Sequence, residues 1–112
     1  MSAPKKYRII PHVGDGDKNR VDAIFTTPMD PAEWKEFREI LLSMMKKGFI
    51  HWRFNLQGIE YPTSTDLGMW VTCNATISSQ SGSIEFLVPE NSNVRKVLSL
   101  TKLDTIFTIV PV

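Results

Sequence analysis

The sequence has a single cysteine, Cys73. No internal disulfide can form, and a reducing, cytoplasmic setting is expected. There is no surplus of one charge either: thirteen Lys and Arg face twelve Asp and Glu, a formal charge of +1. That balance gives no electrostatic basis for binding nucleic acid or an anionic membrane. No apolar run approaches the roughly twenty residues that span a bilayer. The basic start Met1-Ser2-Ala3-Pro4-Lys5-Lys6 leads into Tyr7-Arg8-Ile9-Ile10, too short and polar for a signal-peptide core. Internal repeats, low-complexity tracts and linkers are also missing.

Chemical motifs are equally scarce. Neither G-x-G-x-x-G nor G-x-x-x-x-G-K-[ST] occurs, so no phosphate-cradling loop is expected. Asp15-x-Asp17-x-Asn19 resembles the start of a calcium loop. The glycine and glutamate that such a loop needs at its sixth and twelfth positions are replaced by Arg20 and Thr26. A solvated turn is the better reading. With two histidines and one cysteine, a four-ligand zinc site would need carboxylates, and no metal site is expected. Cys73 would need a histidine or cationic neighbour to act as a nucleophile. His12 and His51 fall on predicted strands with no aligned acid partner, and Cys73 falls within a predicted helix, where a packing role is expected. The sequon Asn74-Ala75-Thr76 lies mid-helix in a chain expected in the cytoplasm and is discounted. No catalytic residues, and hence no enzyme and no cofactor, are expected.

What is present is an ordinary globular composition, 42% hydrophobic and 22% charged over 112 residues. That suits one domain, 1–112. Apolar segments Tyr7 to Val13 and Val21 to Thr27 flank Gly14-Asp15-Gly16-Asp17-Lys18-Asn19, which predicts an antiparallel hairpin with a long turn. Pro11 confines the first strand to an edge or a frayed end. Asp30, Pro31 and Glu33 then form a helix start with a capping box, followed by an apolar stripe of Trp34, Phe37, Leu41, Met44 and Met45 and a stop at Gly48. Phe49 to Asn55 reads as a strand and Leu56 to Pro62 as a loop. Thr63 caps a second helix, with Asp66 three residues on and Leu67, Trp70, Val71 and Ile77 as its buried side. Ser83 to Val88 is a strand closed by Pro89. Asn91 or Ser92 caps a third helix carrying Val94, Val97, Leu98 and Thr101, and Thr105 to Val110 is the last strand.

The order β-β-α-β-α-β-α-β predicts an α/β fold. Its sheet is mixed and mostly parallel, of about five strands, with helices after strands 2, 3 and 4. Loops after the strands and helix starts beyond them share one rim, where partners dock. Thr63-Ser64-Thr65 stands on that rim. Three hydroxyls at the positive end of a helix suit a capped helix or a site for regulatory phosphorylation. Periodicity does not choose between the two.

The chain resembles a STAS domain, the family of bacterial anti-sigma factor antagonists, from the first hairpin to nearly its end. The strongest stretch is Asn55-Leu56-Gln57-Gly58-Ile59-Glu60-Tyr61-Pro62-Thr63-Ser64-Thr65-Asp66-Leu67-Gly68, against the family's D-S-[ST]-G-L-G signature at a helix start. Asn93 to Asp104 is similar to the family's helix before its final strand. The resemblance implies that Ser64 is the serine phosphorylated by a partner anti-sigma kinase and that Thr65, Leu67 and Gly68 keep their family positions. Thr63 replaces the family aspartate, and Asp66 replaces the glycine.

The implied function is partner switching, without catalysis, by a surface around Ser64 with Thr63, Thr65, Asp66 and Met69 beside it. The implied partner is an anti-sigma factor of the serine-kinase type or another signalling protein. Two alternatives stay open: a constitutive scaffold in a sensory assembly, and a small-molecule or nucleotide sensor using the same helix start. The chain ends at Val112, where many members add a helix. One sheet face is therefore expected to be less covered, which leaves room for a homodimer.

Overall fold

A computed structural model describes residues 5–15 and 19–112. Gly16, Asp17 and Lys18 of the hairpin turn, and Met1 to Pro4, lie outside the described residues. Five strands and three helices follow in the expected order: β1 (Tyr7–His12), β2 (Arg20–Phe25), α1 (Pro31–Lys46), β3 (His51–Asn55), α2 (Ser64–Ser79), β4 (Ser83–Val88), α3 (Asn93–Leu100) and β5 (Thr108–Pro111).

The strands lie side by side in chain order. β1 runs antiparallel to β2, and every later pair is parallel. β1 is thus an edge, where Pro11 withholds no hydrogen bond that an inner strand would need. Because each parallel crossover steps the same way across the sheet, right-handed connections bring all three helices to one face. Burial follows from this. Val21, Ala23 and Phe25 on β2, Trp52 and Phe54 on β3, and Ile84, Phe86 and Val88 on β4 are buried, and the residues between them are partly exposed. The alternation is that of a sheet covered on one side.

The core is aromatic. Phe37 of α1 meets Tyr7, Phe25, Trp34, Trp52 and Phe54, with ring centroids 5.2–6.3 Å apart and mostly edge-on, the arrangement the ring quadrupoles favour. Farther along the sheet, Phe86 stacks on Phe107 at 4.3 Å.

Several expectations shift. β3 begins at His51, not Phe49, because Phe49 and Ile50 are taken up by the turn after α1, where the Phe49 N–H donates to the Met44 carbonyl. β5 begins at Thr108, not Thr105. Lys102 adopts a left-handed φ of 60° and starts a 3-10 turn over Leu103–Thr105. Val71 is exposed, and Thr101 serves as the C-cap of α3 and not as part of its apolar stripe. Of the two cap candidates before α3, Ser92 is the one used, accepting from the Arg95 N–H at 3.1 Å.

Candidate functional site

The C-terminal ends of β2, β3 and β4 and the starts of α1, α2 and α3 share one rim, as parallel crossovers require. Each helix opens on a side-chain cap: Asp30 for α1, Thr63 for α2 and Ser92 for α3. At α2 the cap is reciprocal. Thr63 Oγ1 accepts from the Asp66 N–H at 3.1 Å, and Asp66 Oδ2 accepts from the Thr63 N–H at 3.3 Å. Such a box satisfies two of the donors that a helix start leaves open.

Asp66 does more than cap. Its Oδ1 accepts from the Met29 N–H at 3.1 Å and from Trp34 Nε1 at 2.9 Å. One carboxylate therefore ties the start of α2 to the segment before α1 and to α1 itself. It is only 1% exposed and meets N–H donors where a cation could have stood. The expectation that Asp66 belongs to the contact surface needs correcting: its carboxyl lies beneath the rim and supports it.

The other four expected residues divide by exposure. Thr63 and Ser64 are exposed, and Thr65 and Met69 are half-buried. Thr65 and Met69 face a groove of about 370 Å³ between α1 and α2. Ser64, the first residue of α2, stands on the solvent side of the turn that Asp66 anchors. The loop leading to it is held close to the end of β2. A Cβ on Gly58 would come within 2.7 Å of the Phe25 carbonyl oxygen, so only glycine lets the loop pass there.

Elsewhere the residues weighed for chemistry stand apart. Cys73 is 1% exposed in α2, and burial pushes its thiol up to about 12, with Arg38 pulling weakly the other way. His12 does have an acid partner, contrary to expectation. Its Nε2 lies 2.8 Å from Asp22 Oδ2, and Asp22 Oδ1 accepts from Arg53 Nε at 3.1 Å. This network lies on the sheet face away from the helices, whereas Cys73 is in the core. His51 Nδ1 lies 2.7 Å from Ser83 Oγ across neighbouring strands. In the hairpin turn, Asn19 Oδ1 accepts from the Gly14 N–H at 3.0 Å, the bond of a polar turn; Asp17 of the calcium-like pattern is outside the described residues. Among the described residues no three His, Cys, Asp or Glu side chains gather to hold a metal ion, and no helix is long and apolar enough to cross a membrane.

Sequence reasoning found the Thr63–Asp66 box but missed its two further donors. Trp34 was read only as an apolar residue of the α1 stripe, and its indole N–H gave no sign of its partner 32 residues away. Lys35 and Arg38 on the groove were not singled out either, since nothing local marks a helix face that meets another helix.

No family model and no curated protein matches the chain. Solved structures do. TM1081 from Thermotoga maritima, itself proposed to be an anti-sigma factor antagonist, is 25% identical. Its NMR structure matches with a TM-score of 0.77 over 99% of this chain and 83% of that one. An anti-sigma factor antagonist from Mycobacterium paratuberculosis matches at 0.70 and 16% identity, over 100% of this chain and 92% of its own. The unphosphorylated form of the anti-sigma factor antagonist SpoIIAA matches at 0.65 and 10% identity, over 94% and 89%. The likeness that Asn55 to Gly68 carries in sequence thus extends to strand order, crossovers and helix placement: the chain has the STAS-domain fold, that of the anti-sigma factor antagonists.

Proposed function

We propose that this chain is a cytoplasmic regulator of the anti-sigma factor antagonist kind, acting by binding a protein partner and not by catalysis. Its partner is an anti-sigma factor of the serine-kinase type. Unmodified, the chain captures that factor through the rim around Ser64, with Thr63, Thr65 and Met69, and so frees the sigma factor. Phosphate on Ser64 releases the complex.

One observation carries this reading: an exposed Ser64 hydroxyl opens α2, directly over a buried carboxylate that holds the turn in place. A kinase can reach such a hydroxyl without unfolding anything. A phosphate there adds about −1.5 to −2 charges. The helix start tolerates an anion, and the anchored turn gives it little room to move away. Asp66 places a second negative charge in the same turn. A partner pressed onto this rim would have to desolvate the phosphate, and affinity falls through repulsion and desolvation together.

A constitutive scaffold is favoured by a different observation. Asp66 already occupies the reciprocal cap, so α2 starts in finished form without any added anion. The two readings part on Ser64→Asp against Ser64→Ala, measured as affinity for a purified serine-kinase anti-sigma factor of the same host. Under the switch, Ser64→Asp weakens binding on the order of tenfold or more, and Ser64→Ala leaves it intact. Equal affinity of both variants overturns the switch in favour of the scaffold.

A further inference from the structure

Helix α1 carries its charges on two unlike flanks. Toward the N-terminal edge of the sheet, Glu33 pairs with Lys6 at 3.0 Å and Glu36 with Lys5. Toward α2, Lys35 and Arg38 have no carboxylate at ion-pair distance among the described residues. The groove of about 370 Å³ lies along this second flank. Half-buried Leu42 and Met69 give it an apolar strip over the buried Trp34, and its carboxylate is Glu39, so two cations outnumber one anion. Arg38 lines the groove opposite Thr65 and Met69 of α2.

We propose that the groove between α1 and α2 docks an acidic amphipathic helix of the partner protein. The partner helix lays an apolar edge on Leu42 and Met69, and its flanking carboxylates meet Lys35 and Arg38. This rests on the reading of the chain as a protein-binding regulator and extends the contact from the rim onto the helix flank, since Thr65, next to Ser64, also lines the groove. Helix-in-groove recognition needs an apolar strip, here Leu42 and Met69, and two cations against the single Glu39 bias the groove toward an acidic occupant. A basic segment would be repelled. A second copy docking through its own α1 is a poor occupant, because Glu33 and Glu36 of that helix already pair with lysines and Glu39 alone would be left to meet the two cations.

The test uses the ¹⁵N-labelled full chain and three synthetic helical peptides. The first has a leucine edge flanked by glutamates, the second is its lysine-for-glutamate counterpart, and the third is a scramble of the acidic peptide. The acidic amphipathic peptide should bind saturably and shift the amides of Lys35, Arg38, Leu42 and Met69. The double variant Lys35→Glu/Arg38→Glu, with an unchanged circular dichroism spectrum, should weaken it on the order of tenfold. Raising the ionic strength from about 0.05 to about 0.5 M should weaken it as well.

Any of three results overturns the proposal: no saturable binding, equal binding of the basic peptide or the scramble, or shifts centred away from the groove. A dimer in sedimentation velocity that the double variant abolishes also overturns it, by giving the groove to a second copy. The peptide assay does not involve Ser64 phosphorylation. Peptide binding with no effect of Ser64→Asp on partner capture keeps the groove and discards the switch. An intact switch without peptide binding discards the groove alone.

Discussion

Replacing Asp66 tests how the rim is held. Its Oδ1 serves two buried donors, the Met29 N–H and Trp34 Nε1, while Oδ2 serves the Thr63 N–H at the exposed cap. Asp66→Ala strips both buried donors of their acceptor, at about 1–3 kcal/mol each. Removing a buried carboxylate that has no cationic partner returns part of that cost, leaving a net loss of about 2–4 kcal/mol. Asp66→Asn is different, because its carbonyl oxygen can take the place of Oδ1 and keep both buried bonds. It gives up the tie to Thr63 and turns an amide NH2 toward that N–H, donor facing donor, for about 1–2 kcal/mol. Urea unfolding followed by circular dichroism would measure both variants against the parent chain. Equal losses for the two variants, or an Ala cost below about 1 kcal/mol, would refute the claim that Oδ1 is the keystone.

Two other outcomes follow from the same packing. Cys73 is 1% exposed and its burial pushes the thiol up to about 12, which predicts alkylation by iodoacetamide at pH 8 on the order of a hundredfold or more slower in the folded chain than in urea. Similar rates would place the thiol outside the core. Gly68→Ala should raise stability by about 0.5–1 kcal/mol, because a Cβ there meets nothing within 4 Å. Thermal unfolding reads this as a midpoint a few degrees higher. A lower midpoint would mean that α2 needs its glycine for the fold itself.

The capped starts of α1 and α2 were legible in the sequence because a capping box is a four-residue device, complete within Asp30–Glu33 and Thr63–Asp66. The mixed, mostly parallel sheet followed from the alternation of strands and helices, and Pro11 pointed to an edge or a frayed end for β1; the spatial order of the strands was not legible. The buried side of α2 was harder. Its inward residues are Asp66, Trp70, Cys73 and Ile77; with a carboxylate holding one core position, the apolar pattern drifted onto Leu67 and Val71, and Val71 emerged exposed. The start of β5 was obscured by a turn that relies on Lys102 in a left-handed conformation and on Asp104 reaching back to Arg95 at 3.3 Å. The His12–Asp22 pair depends on hairpin register, and the α1–α2 groove on how two helices meet. Neither is a property of any local window.

At the candidate site, sequence and structure divide the work. The residue types at Thr63, Ser64 and Thr65 suggest an anion or a phosphate, and the fold explains why that hydroxyl can be reached and why its turn is rigid. Asp66 looked like an extra surface charge and is an internal brace.

The most direct test of the switch is peptide mass mapping of the chain recovered from its own host under several growth conditions. Partner switching predicts a phosphate on Ser64 whose occupancy changes with conditions. A Ser64 peptide that stays unmodified in every condition, at full coverage, would contradict it and leave a constitutive scaffold.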